Sequence, residues 1–386
     1  MTIKLKKAIK STLCVVMGAA LSAGVQAQSA LEDRFPELAE LYNAFYVTQA
    51  QALDAVATIN ADPALADERM ELIEHLEMMA DMDMHSMHGG GMDMDMGMDM
   101  GGPFGEAEMQ ARMALGQTVR GEYQGPEAEA AIMSIEAVPN HARMVMRWGR
   151  IFEDKLWNIW ADDMLSLDEK RAATAAAIEE YETGDPRHAV SVIPKNADLY
   201  LGHDYADALA MGYPRISGLL WANQWLQLAS LEALILGEVD PQFAGRVPVT
   251  LERYWNKVGS DSGMTMFPAP TEMPSAPAIA PQLYTQAPDA ARIIDNLNML
   301  ETAIADIVAY PNLDEETRSE AIMTTISYFT SDEEQNTDEM NYLLSALRGG
   351  IYNQGGPAIG ELMGSERNRS REAMDMIHTM IMSSPQ

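Results

Sequence analysis

Residues 31–59 read LEDRFPELAELYNAFYVTQAQALDAVATI. Leu38, Leu41, Phe45, Leu53 and Val56 recur at spacings of three, four or eight, so they share one face of a helix with 3.6 residues per turn. The pattern is that of an amphipathic helix laid against a core.

The same rhythm runs outward through most of the chain. Helices are predicted over 64–79, 106–120 and 127–163, the last interrupted at Pro139. Ser166-Leu167-Asp168-Glu169 is a capping box that opens an Ala-rich helix running to Tyr181. Helices over 198–211 and 216–236 follow, with Gly212-Tyr213-Pro214 as the stop between them. Further helices are expected over 251–258, 290–310, 315–330, 337–348 and 371–382. Strand-like runs are few and short, 189–193 being the best. The fold class is therefore mainly α, a multi-helix bundle.

The segment 216–236 is long and apolar, but Asn223, Gln224, Gln227 and Glu232 interrupt it. Burial inside a bundle fits it better than a bilayer. Trp221 and Trp225 stand one turn apart on it, a spacing that suits a core pair. Residues 263–288 hold Pro268, Pro270, Pro274, Pro277, Pro281 and Pro288. So many prolines argue for an extended linker or surface strap. The expected organisation is an N-terminal helical segment at 28–77, a flexible loop at 78–103, a helical lobe at 104–262, the Pro-rich linker at 263–288 and a second lobe at 289–386.

Residues 1–27 have the form of a secretory signal peptide. Lys4, Lys6, Lys7 and Lys10 make a basic start, a short apolar run spans 13–23, and Val25-Gln26-Ala27 offers a small-residue cleavage site. The apolar run falls well short of the roughly 20 residues needed to span a bilayer. Export to the periplasm is expected, with no membrane insertion once the leader is removed. The leader would take with it Cys14, the sole cysteine, so thiolate metal sites and disulfides are excluded from the remainder. It holds none of the 58 acidic residues and four of the 26 basic ones, which leaves a formal charge of −36. That field repels nucleic acid and favours cations or a basic partner.

One stretch departs from the helical rhythm. Residues 78–100 read MMADMDMHSMHGGGMDMDMGMDM and hold ten of the 31 methionines and two of the seven histidines: Met78, Met79, Met82, Met84, His85, Met87, His88, Met92, Met94, Met96, Met98 and Met100. Glycines and alternating charges prevent a continuous buried face here. Thioether sulfur is a soft, uncharged ligand suited to Cu(I) or Ag(I), and the two imidazoles add capacity for Cu(II). Interleaved aspartates supply a negative field. The composition resembles the Met/His/Asp-rich segments of exported copper-resistance proteins and the inserts of multicopper oxidases, which implies copper as the bound ion. Two rival readings exist. One is an acidic low-complexity loop in which methionine is tolerated. The other is a Ca²⁺ loop over Asp93-x-Asp95-x-Gly97-x-Asp99, disfavoured because Met98 occupies the position that needs glycine.

A second cluster, Met374, His378 and Met382, lies at i, i+4 and i+8 in the last predicted helix, where core packing explains it as well as metal binding does. Weaker candidates are the face His75, Met78, Met79 and Met82; the series His203, Asp207 and Met211; and the pair His141 and Met144. His188, after Asp185-Pro186-Arg187, reads as a loop residue. The chain lacks Glu-x-x-His, His-Glu-x-x-His, Gly-x-Ser-x-Gly and P-loop motifs. The expectation is a periplasmic protein that binds, buffers or delivers copper, in exchange with a copper-handling partner. The alternative is an acidic helical scaffold for a basic or cationic partner, its loop incidental.

Overall fold

The computed structural model describes residues 29–81, 102–259, 272–347 and 356–357. The expected leader, most of the methionine segment (82–101) and the cluster at Met374, His378 and Met382 lie outside the described residues.

Helix starts follow local chemistry. Ser29 accepts from Glu32 N and opens α1 (Ala30–Arg34), and Pro36 then forces a new start for α2 (Pro36–Ala61). α3 (Ala66–Asp81) and α4 (Gly105–Thr118) flank the methionine segment. α5 (Gly125–Ser134) and α6 (Asn140–Ala161) are parted at Pro139, as the sequence predicts. The capping box at Ser166 opens α7 (Leu167–Gly184), its Glu169 Oε2 accepting from Ser166 N at 2.9 Å.

The helix expected over 198–211 is two short pieces, α8 (Asp198–Leu201) and α9 (Ala208–Gly212). Between them Asp207 turns the chain at φ 64°, a left-handed conformation that no helix continues through. α10 (Pro214–Val239) and α11 (Arg246–Val258) follow. Residues 189–193 form no strand and bend at 192–193. Ser191 N donates to Phe329 O at 2.8 Å, and the nearby β-pairing is one isolated bridge between Lys195 and Asn336.

The Pro-rich stretch corrects the expected linker. Its described part contains α12 (Ala276–Ile279) and α13 (Pro281–Gln286) and ends at the first residue of α14 (Pro288–Ala309). Pro277, Pro281 and Pro288 sit in first helical turns, where a missing N–H leaves no bond unmade. Ala276, Ile279, Ala280 and Leu283 are fully buried. These residues are core, not a strap over it. α15 (Glu315–Thr330) and α16 (Glu339–Ala346) complete the described helices, capped by Asp314 and Asp338.

α10 and α14 form the centre. Residues Trp225 to Leu236 are buried without interruption, as are Ile293 to Glu301, so both helices are enclosed on all sides. α2 and α6 pack against both. Gly149 lets α6 approach α14, since a Cβ there would come within 2.6 Å of Leu297 Cδ2. One hydrophobic cluster joins helices from both sides of the Pro-rich stretch, so the described residues share one core instead of dividing into two lobes. Among the described residues, no helix is long and apolar enough to cross a membrane.

Candidate functional site

The methionine segment is framed by two stems that bear on one corner of the bundle. On the entering side, Leu72 of α3 is fully buried, and a Cβ on Gly212 would lie 2.9 Å from Leu72 Cδ2. On the returning side, Gly102 adopts φ 64°, and a Cβ there would lie 2.8 Å from Met211 O and 2.9 Å from Gly212 O. Only glycine fits such a re-entry. Phe104 then stacks on Tyr213 with ring centroids 4.8 Å apart.

The corner itself is tied to the core. Tyr213 donates to Asn60 Oδ1 at 2.7 Å, and Asn60 Nδ2 donates to Val308 O and Ala309 O, each at 2.9 Å. Buried Glu108 caps α10 from outside, accepting from Arg215 N at 2.5 Å and Ile216 N at 3.0 Å. Desolvation still holds Glu108 above the usual carboxylate range.

Of the sequence candidates, Met78 and His75 are half-buried on α3. Met70 on α3 is exposed, as are Met109 and Met113, one turn apart on α4. Thioethers thus sit at the surface on both flanking helices. His203, Asp207 and Met211 do not form a helical face, because the break before α9 separates them. His203 Nε2 instead lies 3.7 Å from Asp306 Oδ2, and Asp306 Oδ1 accepts from Leu209 N at 2.9 Å. His141 meets His188, its ring centroid 4.9 Å away, and His188 Nδ1 is 2.7 Å from Asp185 Oδ2. Partial burial and the neighbouring His188 lower the proton affinity of His141. Trp221 and Trp225 are core residues, with Lys257 Nζ 5.5 Å and 4.6 Å from their rings. Among the described residues, no group of three or more His, Cys, Asp or Glu side chains is placed to hold a metal.

Two polar features lie elsewhere. At the bundle centre, Tyr46 and Gln227 both donate to Glu153 Oε2, the latter at 3.1 Å. Burial raises Glu153 to about 8 and the neighbouring Glu301 to about 7. Gln227 signals this network in the sequence, as a polar interruption of an apolar helix. Glu153 and Glu301 read there as ordinary helix acids.

The second feature is a cleft of about 500 Å³ between α14, α16 and the segment 195–200 that leads into α8. At its base Asp295 accepts from Ser275 Oγ at 2.8 Å, Tyr342 OH at 2.7 Å and Ala276 N at 2.9 Å. Burial lifts Asp295 to about 7. Lys195 Nζ donates to Ser331 O, Glu334 O and Asn336 Oδ1, so it fastens a loop. Ser275 donates to a carboxylate and has no imidazole to activate it, so this set locks α12 and α16 onto α14. No known family model, curated protein or solved structure matches the chain.

Proposed function

We propose that the chain is exported through its first 27 residues and binds Cu(I) or Ag(I) through the methionines and histidines of residues 78–100. The observation that carries this reading is the density of soft donors: ten methionines and two histidines in 23 residues, in a chain whose sole cysteine lies in the leader. The two stems support it. Both bear on Gly212, and the exposed Met70, Met109 and Met113 lie on the helices they belong to. On this reading the bundle is a rigid base, and the segment takes up the ion for storage or transfer to a copper-handling periplasmic partner.

The test is a Cu(I) competition titration. The protein is compared with a variant in which 82–100 is replaced by Gly and Ser at equal length, which preserves α3 and Gly102. Loss of tight Cu(I) binding in the variant is the expected result; equal capacity and affinity overturns the reading. N-terminal sequencing of protein recovered from the periplasm checks export, with Gln28 expected as the first residue.

A second reading rests on the excess of acidic residues, 58 against 26 basic. In it the helical body recruits a basic partner. Such a partner would be captured equally by the protein and by the segment-replaced variant, in a salt-dependent manner.

A further inference from the structure

α16 buries one side and leaves the other bare. Tyr342 and Ala346 face the core. Met340, Leu344 and Leu347 follow one another at i, i+4 and i+7 and are 64%, 61% and 41% exposed. Leu344 and Ala346 also line the cleft beside Met273 and Met299, so this apolar surface continues inward. An apolar helical stripe of this kind needs a cover.

We propose that residues 371–382 of the same chain dock on it as an amphipathic helix. Three observations point to this occupant. First, the chain returns to the right place: Gly356 and Pro357 are buried, and Gly356 lies against Ile279 of α12, which packs on α16. Thirteen residues then separate Pro357 from Arg371, a span of up to roughly 45 Å, while α16 is only about 12 Å long.

Second, the pattern of 371–382 is complementary. At 100° per residue, Met376, Met380, Ala373, Ile377, Ile381 and Met374 cover one arc, and Asp375, Thr379 and Glu372 lie opposite. Third, the charges match. Arg367, Arg369 and Arg371 crowd the start of this segment in an otherwise base-poor chain. Glu333, Glu334 and Asp338 are exposed just before α16. Pairing these groups runs the two helices in the same direction and sets Ile377 near Leu344 and Ile381 near Leu347. Met374 then serves packing, His378 falls at the edge of the apolar arc, and Met382 lies on the polar side. This inference stands apart from the metal reading of 78–100.

Cross-linking tests it on the full chain. With Cys14→Ser removing the native thiol, Leu344→Cys and Ile377→Cys are introduced together and oxidised. An intramolecular disulfide formed in high yield is expected. A disulfide-linked dimer would assign the face to a second copy, and absence of any cross-link would also overturn the proposal. A second measurement does not depend on disulfide geometry. Hydrogen exchange across 371–382 should quicken at least tenfold in the double variant Leu344→Asp, Leu347→Asp, and raised salt should quicken it in the parent. Unchanged exchange in the double variant overturns the docking.

Discussion

Tyr46 of α2 donates its hydroxyl hydrogen bond to Glu153 of α6, with both side chains shut away from solvent at the middle of the bundle. A carboxyl in that position resists ionisation, because burial penalises its charged form more than its two donors reward it.

The pH dependence of stability follows. Glu153 is raised to about 8, and Glu232, Asp295 and Glu301 to about 7. Between their ordinary values and these, the folded chain binds more protons than the unfolded one, so stability falls as pH rises. The contribution is full below about pH 4 and is lost progressively as the pH rises to about 7 to 8. Glu169, Asp185 and Asp314 are shifted down and act in the opposite sense, below about pH 4.5. Thermal unfolding midpoints should decline from pH 5.5 to 8.5, and Glu153→Gln should flatten that decline. A midpoint that rises across this range would contradict the buried acids.

Asp295 holds three donors from two elements, two at the start of α12 and one on α16. Asp295→Ala strands Ser275, Ala276 N and Tyr342 in a buried setting and should cost about 2–4 kcal/mol. Tyr342→Phe removes a single donor and should cost about 1 kcal/mol. Urea denaturation measures both. Equal losses would mean that the latch at the cleft base is not shared as the geometry has it.

At Gly102, alanine meets two backbone carbonyls and a strained φ. Gly102→Ala should destabilise by about 1–3 kcal/mol. Copper capacity per folded molecule should be unchanged, since no thioether is removed. A melting curve and a copper titration on the same sample separate the two effects.

Replacing the methionines of 82–100 with leucine while keeping His85 and His88 separates thioether from imidazole binding. Cu(I) affinity should fall at least a hundredfold, with Cu(II) binding largely retained. Cu(I) affinity equal to the parent's would remove thioethers from the account.

Much of the fold is legible in local sequence because local rules set it. The Ser166 capping box, the break at Pro139 and the helix Glu315–Thr330 obey spacing and capping alone. What escapes is decided by distant neighbours. Prolines 277, 281 and 288 look like linker punctuation until each is seen in the first turn of α12, α13 or α14. Asp207 carries no sequence mark of its left-handed turn. Asp295, Glu153 and Glu301 sit in apolar helical contexts where burial, not residue type, gives them their character. The soft-donor segment is the reverse case, evident from composition and independent of the packing around it.

The convergence of both stems on Gly212 has a consequence for change over time. Closing a flexible loop costs only about 0.6 kcal/mol more for each doubling of its length. The stretch of sequence between two stems that meet at one corner can therefore change in length while the bundle keeps its packing. On the copper reading proposed above, the corner at Gly212 is a fixed mount, and the number of ligands between its two stems can be tuned without redesigning the bundle.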